Sequence, residues 1–329
     1  FQTGTASPRE ILEIGTDPDY IYRPELAEDI RQAKYYKDTE IEIISAPSAG
    51  MRITHIIFDH DGTISALRQG WEAIMEPMMT RSVLGDLFEN ADESLYQKVV
   101  KRVRGFIDKT TGMQTLVQMR GLIEIIHEFG CVPEDKILDE HGYKRIYNQE
   151  LLNMVNKRME KLKKGELSVG DFTMKNAVPL LESLCETGIR LYLASGTDQE
   201  DVIKEAEALG YAHLFAGRIY GSVGDITKEA KKIVLERILK DIGESAGEHL
   251  LAFGDGPVEI RETHKGGGYT VGVASDEVRR YGLNVAKRSR LIKAGADMVV
   301  PDFSQISPLL RLLKLPKGEK DALSANRPF

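Results

Sequence analysis

Short, almost uninterrupted apolar runs punctuate the chain at residues 54–59, 190–194, 249–253, 269–274 and 297–300. Continuous runs of this length predict strands buried on both faces of a parallel sheet, where a half-exposed strand would alternate apolar and polar positions. Helical patterns separate most of them, and strands alternating with helices predict a doubly wound α/β sheet. The alternation fails between Ser65 and about Thr173. Amphipathic segments follow one another there, at residues 71–84, 93–108, 113–129 and 139–163. A structureless loop of that length is uncommon in a compact domain, so the pattern predicts an inserted helical domain, expected to act as a cap. Its methionines, among them Met75, Met78, Met79, Met154 and Met159, suit a helical core.

The first 50 residues are polar and broken by Pro8, Pro18, Pro24 and Pro47, with one helical-looking stretch at residues 24–36. The expected organisation is an N-terminal extension or linker at 1–50, a catalytic core from 51–65 and 173–315, a helical cap domain at 66–172 and a C-terminal tail at 316–329. The chain opens on Phe1, which leaves room for a lost leader, a fused upstream domain or a partner reached through this segment.

With 329 residues, 42% of them apolar and 29% charged, the chain is long enough to bury a full core. A net charge of −7 gives it no general attraction for nucleic acid or an anionic membrane, and polyanions are poor candidate partners. No run approaches the roughly 20 apolar residues that span a bilayer. Cys131 and Cys185 lack metal-ligand spacing and are too few for a disulfide framework, so they are expected as apolar fillers in a reducing, cytoplasmic setting.

Four stretches carry candidate chemistry. In THIIFDHDGTIS the apolar run Ile56-Ile57-Phe58 ends in Asp59 and Asp61. Residues two apart in a strand share a side, and the C-terminal end of a parallel strand is where open α/β sheets bind ligands. Two carboxylates this close repel unless a cation neutralises them or one keeps its proton, which makes Mg²⁺ a natural companion. One could then attack phosphorus while the other gives and takes protons. Asp-Gly alone is also a common turn.

In LYLASGTD, Ser195, Gly196 and Thr197 offer hydroxyls and backbone N–H groups suited to a phosphate, although Ser195 alone would equally read as a helix cap. DITKEAKK supplies Lys228 at the start of a helical pattern, with Lys231 and Lys232 as rivals, and lysines there are ordinarily solvated. LLAFGDGPVEI ends an apolar strand in Asp255, with Glu259 just beyond.

Taken in order, IIFDHDGT, LYLAS, Lys228 and GDGPVE resemble the motifs of the haloacid dehalogenase (HAD) superfamily of phosphatases, over about residues 51 to 313. The resemblance implies a Rossmann-like core with an inserted helical cap. It also implies an Mg²⁺-dependent phosphatase that forms an aspartyl-phosphate. Asp59 would be the nucleophile and Asp61 the general acid and base. Ser195 and Gly196 would bind the phosphoryl group, and Lys228 would hold phosphate and nucleophile in place. Asp255 would complete a metal site with the Asp59 carboxylate and the Asp61 backbone carbonyl. Glu259, standing where many members have Asp, takes a supporting part in that site. His60 falls at a variable position, should point the other way and is given no role.

The insertion resembles the family's C1 caps, and KTTGMQTLVQMRG resembles the specificity segment of the β-phosphoglucomutase-like branch. Lys109, Thr111, Gln114 and Arg120 are therefore candidate substrate contacts, or else solvated groups on a helical hairpin. The expected partner is a small phosphorylated metabolite such as a sugar phosphate, with neither nucleic acid nor a membrane involved. A phosphomutase, or a noncatalytic regulatory module of a larger protein, stands as the alternative.

Overall fold

The computed structural model describes residues 29–110, 115–223, 230–243 and 247–315. One seven-stranded sheet organises the α/β unit, in the order β1-β7-β6-β5-β2-β3-β4. The strands are β1 (Glu42–Ile43), β2 (His55–Asp59), β3 (Arg190–Asp198), β4 (Ile219–Ser222), β5 (Leu250–Gly254), β6 (Tyr269–Val273) and β7 (Met298–Val300). Every pairing is parallel except that of β1 with β7. β2 lies between β3 and β5, and all five of its residues are buried, as the apolar run requires.

Alternation along β2 sends Ile57 to one face, where it packs with Val234, Leu235 and Ile238. Phe58 lies opposite Phe253 of β5, and the two rings stack at 4.8 Å. Ten α-helices are described: α1 (Glu72–Leu84), α2 (Glu93–Thr110), α3 (Thr115–Phe129), α4 (Glu140–Lys163), α5 (Ala177–Cys185), α6 (Gln199–Ala208), α7 (Ala230–Ile242), α8 (Pro257–Lys265), α9 (Val285–Lys293) and α10 (Ile306–Leu312).

Residues 68–160 form a compact unit of their own, helical and inserted in the sequence between β2 and β3. Its core is apolar: Met75, Met78 and Met79 of α1, Val99 and Val103 of α2, Met119, Leu122 and Ile126 of α3, and Tyr147 and Leu151 of α4. Gly121 allows the Phe106 ring to lie against α3, where a Cβ would collide with it. Cys131 packs on this core. Cys185 is exposed at the end of α5 and is no core filler, because the buried positions of that helix are Ala177, Leu180, Leu181, Ser183 and Leu184.

The segment preceding β2 differs from its sequence expectation. Over the described part of 24–36 there is no α-helix, only a single 3-10 turn at Ile30–Gln32, capped by the Asp29 side chain. Tyr35 bridges to Glu42, and β1 then adds an antiparallel strand to the sheet edge. A strand with one charged residue in two gives no periodicity to read. What seats it is distant: the Arg288 guanidinium of α9 donates to both Glu42 carboxylate oxygens, at 2.6 and 2.7 Å, and both side chains are fully buried. Among the described residues no helix is long and apolar enough to cross a membrane.

Candidate active site

The site is built at the C-terminal ends of β2, β3 and β5, where three apolar strands hand over to polar loops. Asp59 closes β2 and is only 2% exposed. The chain turns at once, with the His60 carbonyl accepting from the N–H groups of Ile64 and Ser65, and Gly62 takes φ +76°, a conformation that favours glycine. Glycine is needed there for a second reason: a Cβ on Gly62 would run into the Asp255 carboxylate.

The Asp59 Oδ1 lies 2.7 Å from the Lys231 ammonium on α7, and Oδ2 accepts from Thr63 Oγ1 at 3.3 Å. Asp61, two residues on, faces β3, with Ser195 and Thr197 hydroxyls donating to its Oδ2 at 3.4 and 3.3 Å. The register between β3 and β4 shifts between Ala194 and Asp198, so these groups lie on an irregular strand end with Gly196 exposed between them. The Thr197 N–H donates to Ser195 Oγ.

From β5, Asp255 lies 2.6 Å from the Lys287 ammonium of α9. Glu259 sits in the first turn of α8, after Pro257 at a position that suits proline. Its Oε1 accepts from the Gly256 N–H at 2.6 Å and its Oε2 pairs with Lys231 at 2.9 Å. Gly254 admits this carboxylate, since a Cβ there would overlap Glu259. Carboxylate oxygens of Asp59, Asp255 and Glu259 all lie within 4.8 Å of one another.

Such crowding has an electrostatic cost. Burial pushes the Asp59 carboxyl well above the usual carboxylate range, Lys231 opposes the push, and Glu259 and Asp255 add to it. Burial also raises Asp255, but Lys287 and Lys231 outweigh it and hold that carboxyl low. Burial disfavours the charge on Lys231 and Lys287, and the surrounding carboxylates more than reverse this, so both ammonium groups are held above the ordinary lysine range.

Among the described residues, Asp59 and Glu259 pair with the Lys231 ammonium and Asp255 and Glu277 with that of Lys287, while Asp61 adds a fifth carboxyl at the strand ends, beside the Ser195 and Thr197 hydroxyls. This is an excess of hard oxygen donors, and it fits a divalent cation such as Mg²⁺.

The sequence-predicted residues Asp59, Asp61, Ser195, Gly196, Asp255 and Glu259 thus meet at one end of one sheet. Lys228, Thr111 and Gln114 lie outside the described residues. Among the described residues it is Lys231, a rival to Lys228 on sequence, that contacts Asp59. In the helical unit, Lys109 is exposed near the end of α2, and Arg120 of α3 pairs with Glu140 at 3.1 Å. His60 is fully buried against Tyr211, yet it does not turn wholly away: its Nδ1 lies 3.6 Å from Asp61 Oδ1 and 3.9 Å from Glu205 Oε2. Lys287 and Glu277 had no signal in the sequence, and Thr63, though inside the IIFDHDGT motif, was assigned no role there.

Sheet, insertion and acid cluster together define a class, and comparison gives it a family. The family model of haloacid dehalogenase-like hydrolases matches residues 53–262, and the chain belongs to that family. No curated protein matches the chain. Similar solved structures include a haloacid dehalogenase-like family protein from Streptococcus pneumoniae, 17% identical over 79% of this chain and 97% of that one, with a TM-score of 0.47. A haloacid dehalogenase-like protein of unknown function from Agrobacterium tumefaciens is 16% identical over 80% and 98%, TM-score 0.49. A β-phosphoglucomutase from Clostridium difficile is 16% identical over 80% and 97%, TM-score 0.48.

Proposed function

We propose that this hydrolase is an Mg²⁺-dependent phosphatase of small phosphorylated metabolites, working through an aspartyl-phosphate on Asp59. The observation that supports it most is the pairing of two differently treated carboxylates: Asp59, buried and fixed by Lys231 and Thr63, and Asp61, with a side chain 32% exposed and reached by two hydroxyls. Environments that diverge in this way suit a nucleophile beside an acid and base.

A carboxylate oxygen of Asp59 attacks phosphorus, the bond from phosphorus to the ester oxygen breaks, and protonated Asp61 gives its proton to that oxygen. Asp61 then takes a proton from water as the water oxygen bonds phosphorus, the Asp59–phosphorus bond breaks, and inorganic phosphate and free Asp59 are restored. Ser195, the backbone at Gly196 and Lys231 hold the phosphoryl oxygens, and Lys231 is kept at its post by Glu259. Asp59, Asp255 and the Asp61 carbonyl would hold the cation, which when bound supplies positive charge against the phosphoryl group.

Lys109, Thr111, Gln114 and Arg120 remain the candidate contacts for the rest of the substrate, and a reducing cytoplasmic setting suits the two unpaired cysteines.

The test is phosphate release from a panel of phosphorylated metabolites with Mg²⁺, run beside Asp59→Asn. The reading expects turnover of one ester or a small group, and a loss of at least about a thousandfold in the variant. Isomerised sugar phosphate without net phosphate release would replace this reading with a phosphomutase. Turnover that survives Asp59→Asn would overturn the nucleophile.

A further inference from the structure

Lys287 has no part in the steps above, yet like Lys231 it is paired with two carboxylates of the site. It stands in the first turn of α9, where the Asn284 side chain accepts from the Lys287 N–H at 3.0 Å and so fixes where the helix starts. Its side chain is 7% exposed, and Nζ lies 2.6 Å from both Asp255 Oδ2 and Glu277 Oε1. Glu277 comes from the loop between β6 and α9 and gives the ammonium its second carboxylate partner. The Asp255 carboxylate is also confined by the backbone at Gly62, which leaves no room for a Cβ between them.

Burying an ammonium beside a metal ligand is a poor way to attract a cation, since like charges repel. The arrangement makes sense if orientation matters more than charge. We propose that Lys287, itself held by Glu277, is a positioning residue: by occupying Asp255 Oδ2 it fixes the carboxylate so that Oδ1 is presented to a divalent cation. The inference rests on the metal reading of Asp255 given above.

The two accounts of Lys287 predict opposite signs. As a charge alone, its removal makes the pocket more negative and tightens cation binding. As a positioning residue, its removal frees the carboxylate to rotate, and losing an outer-shell partner of this kind typically weakens metal binding about 10–100-fold.

The experiment is calorimetric titration of MgCl₂ into the metal-free 329-residue chain, comparing native with Lys287→Met, Lys287→Arg, Glu277→Gln and Asp255→Asn. Native protein is expected to bind. Lys287→Met should weaken binding about tenfold or more and Glu277→Gln severalfold. Lys287→Arg, which keeps a donor within reach of Oδ2, should recover part of the loss, and Asp255→Asn should lose binding. Near-UV circular dichroism of the metal-free variants checks their folding. If Lys287→Met fails to fold, Lys287→Gln, which also removes the positive charge, carries the test. Binding as tight as native, or tighter, in the folded Lys287 variant that lacks the charge overturns the positioning role, whatever Glu277→Gln does, and leaves the metal reading standing. No binding by the native protein overturns both.

Discussion

The helical insertion and the C-terminal end of the sheet bury their side chains under opposite rules. In the insertion, the buried polar side chains among the described residues are Thr80, Thr110 and Gln118, none of them charged. Its ion pairs, such as Arg102 with Glu128 and Arg104 with Glu76, sit at the surface. At the sheet end, Asp59, Glu259 and Lys287 are buried together, and among the described residues carboxyl groups outnumber the ammonium groups that face them. Burial of charge does not by itself mark a site, because Glu42 and Arg288 are also buried in the α/β unit and match one for one. An unmatched charge marks the place where a ligand is expected, while matched charge and apolar packing serve the fold.

That distinction can be attacked directly, starting with the matched pair. Glu42→Gln leaves the Arg288 guanidinium buried without its counter-charge, and chemical denaturation should show a loss of about 3–5 kcal/mol, with Mg²⁺ affinity near native. At the unmatched end, Lys231→Met should cut kcat about 100–1,000-fold while global stability changes little by comparison. A stability loss as large as that of Glu42→Gln would break the comparison.

In the insertion, Leu122→Ala opens a cavity in a core that is fully buried. It should cost about 3 kcal/mol and leave Mg²⁺ titrations of the folded protein unchanged.

The smallest effect tests the charge excess itself. Asp59 has its folded-state pKa raised above its ordinary value of 3.8, so the native chain holds a proton that the unfolded chain releases. The stability tied to that proton is present below the unfolded value and drains away as pH rises toward the folded one. Asn does not titrate. In metal-free protein, Asp59→Asn should therefore stabilise by about 1–2 kcal/mol near pH 8 and by progressively less as the pH is lowered toward 4. A gain that grows on acidification would reverse the sign and sink the argument.

Much of this was legible in the sequence because its signals are local. Apolar runs ending in Asp59, Ala194 and Phe253 gave strands whose ends lie within a few residues of those observed, and the four amphipathic segments gave α1 to α4. Two strands escaped. β1 has two residues, one of them Glu42, whose burial depends on a partner 246 positions away, and β4 is four residues with Gly221 inside.

Asp59, Asp61, Asp255 and Glu259 announced themselves by following apolar runs into Asp-Gly turns. The lysines did not. DITKEAKK offers Lys228, Lys231 and Lys232 within five residues, and that Lys231 reaches Asp59 depends on the phase of α7, which sequence leaves open. Lys287 lies in VAKRSRLIK, which reads as a basic surface helix, and only folding shows that two of its cations point inward.

Those two cations are adjacent residues. Lys287 reaches Asp255 at the site, and Arg288 reaches Glu42 at the sheet edge. Neighbours on a helix are splayed by about 100°, so α9 serves two distant clients from one rotational setting. Point substitutions can fail one client at a time. A single-residue deletion between Asn284 and Lys287 would turn the rest of the helix through the same angle and strand both cations at once. The opening of α9 should therefore tolerate exchanges of side chain far better than any change in length.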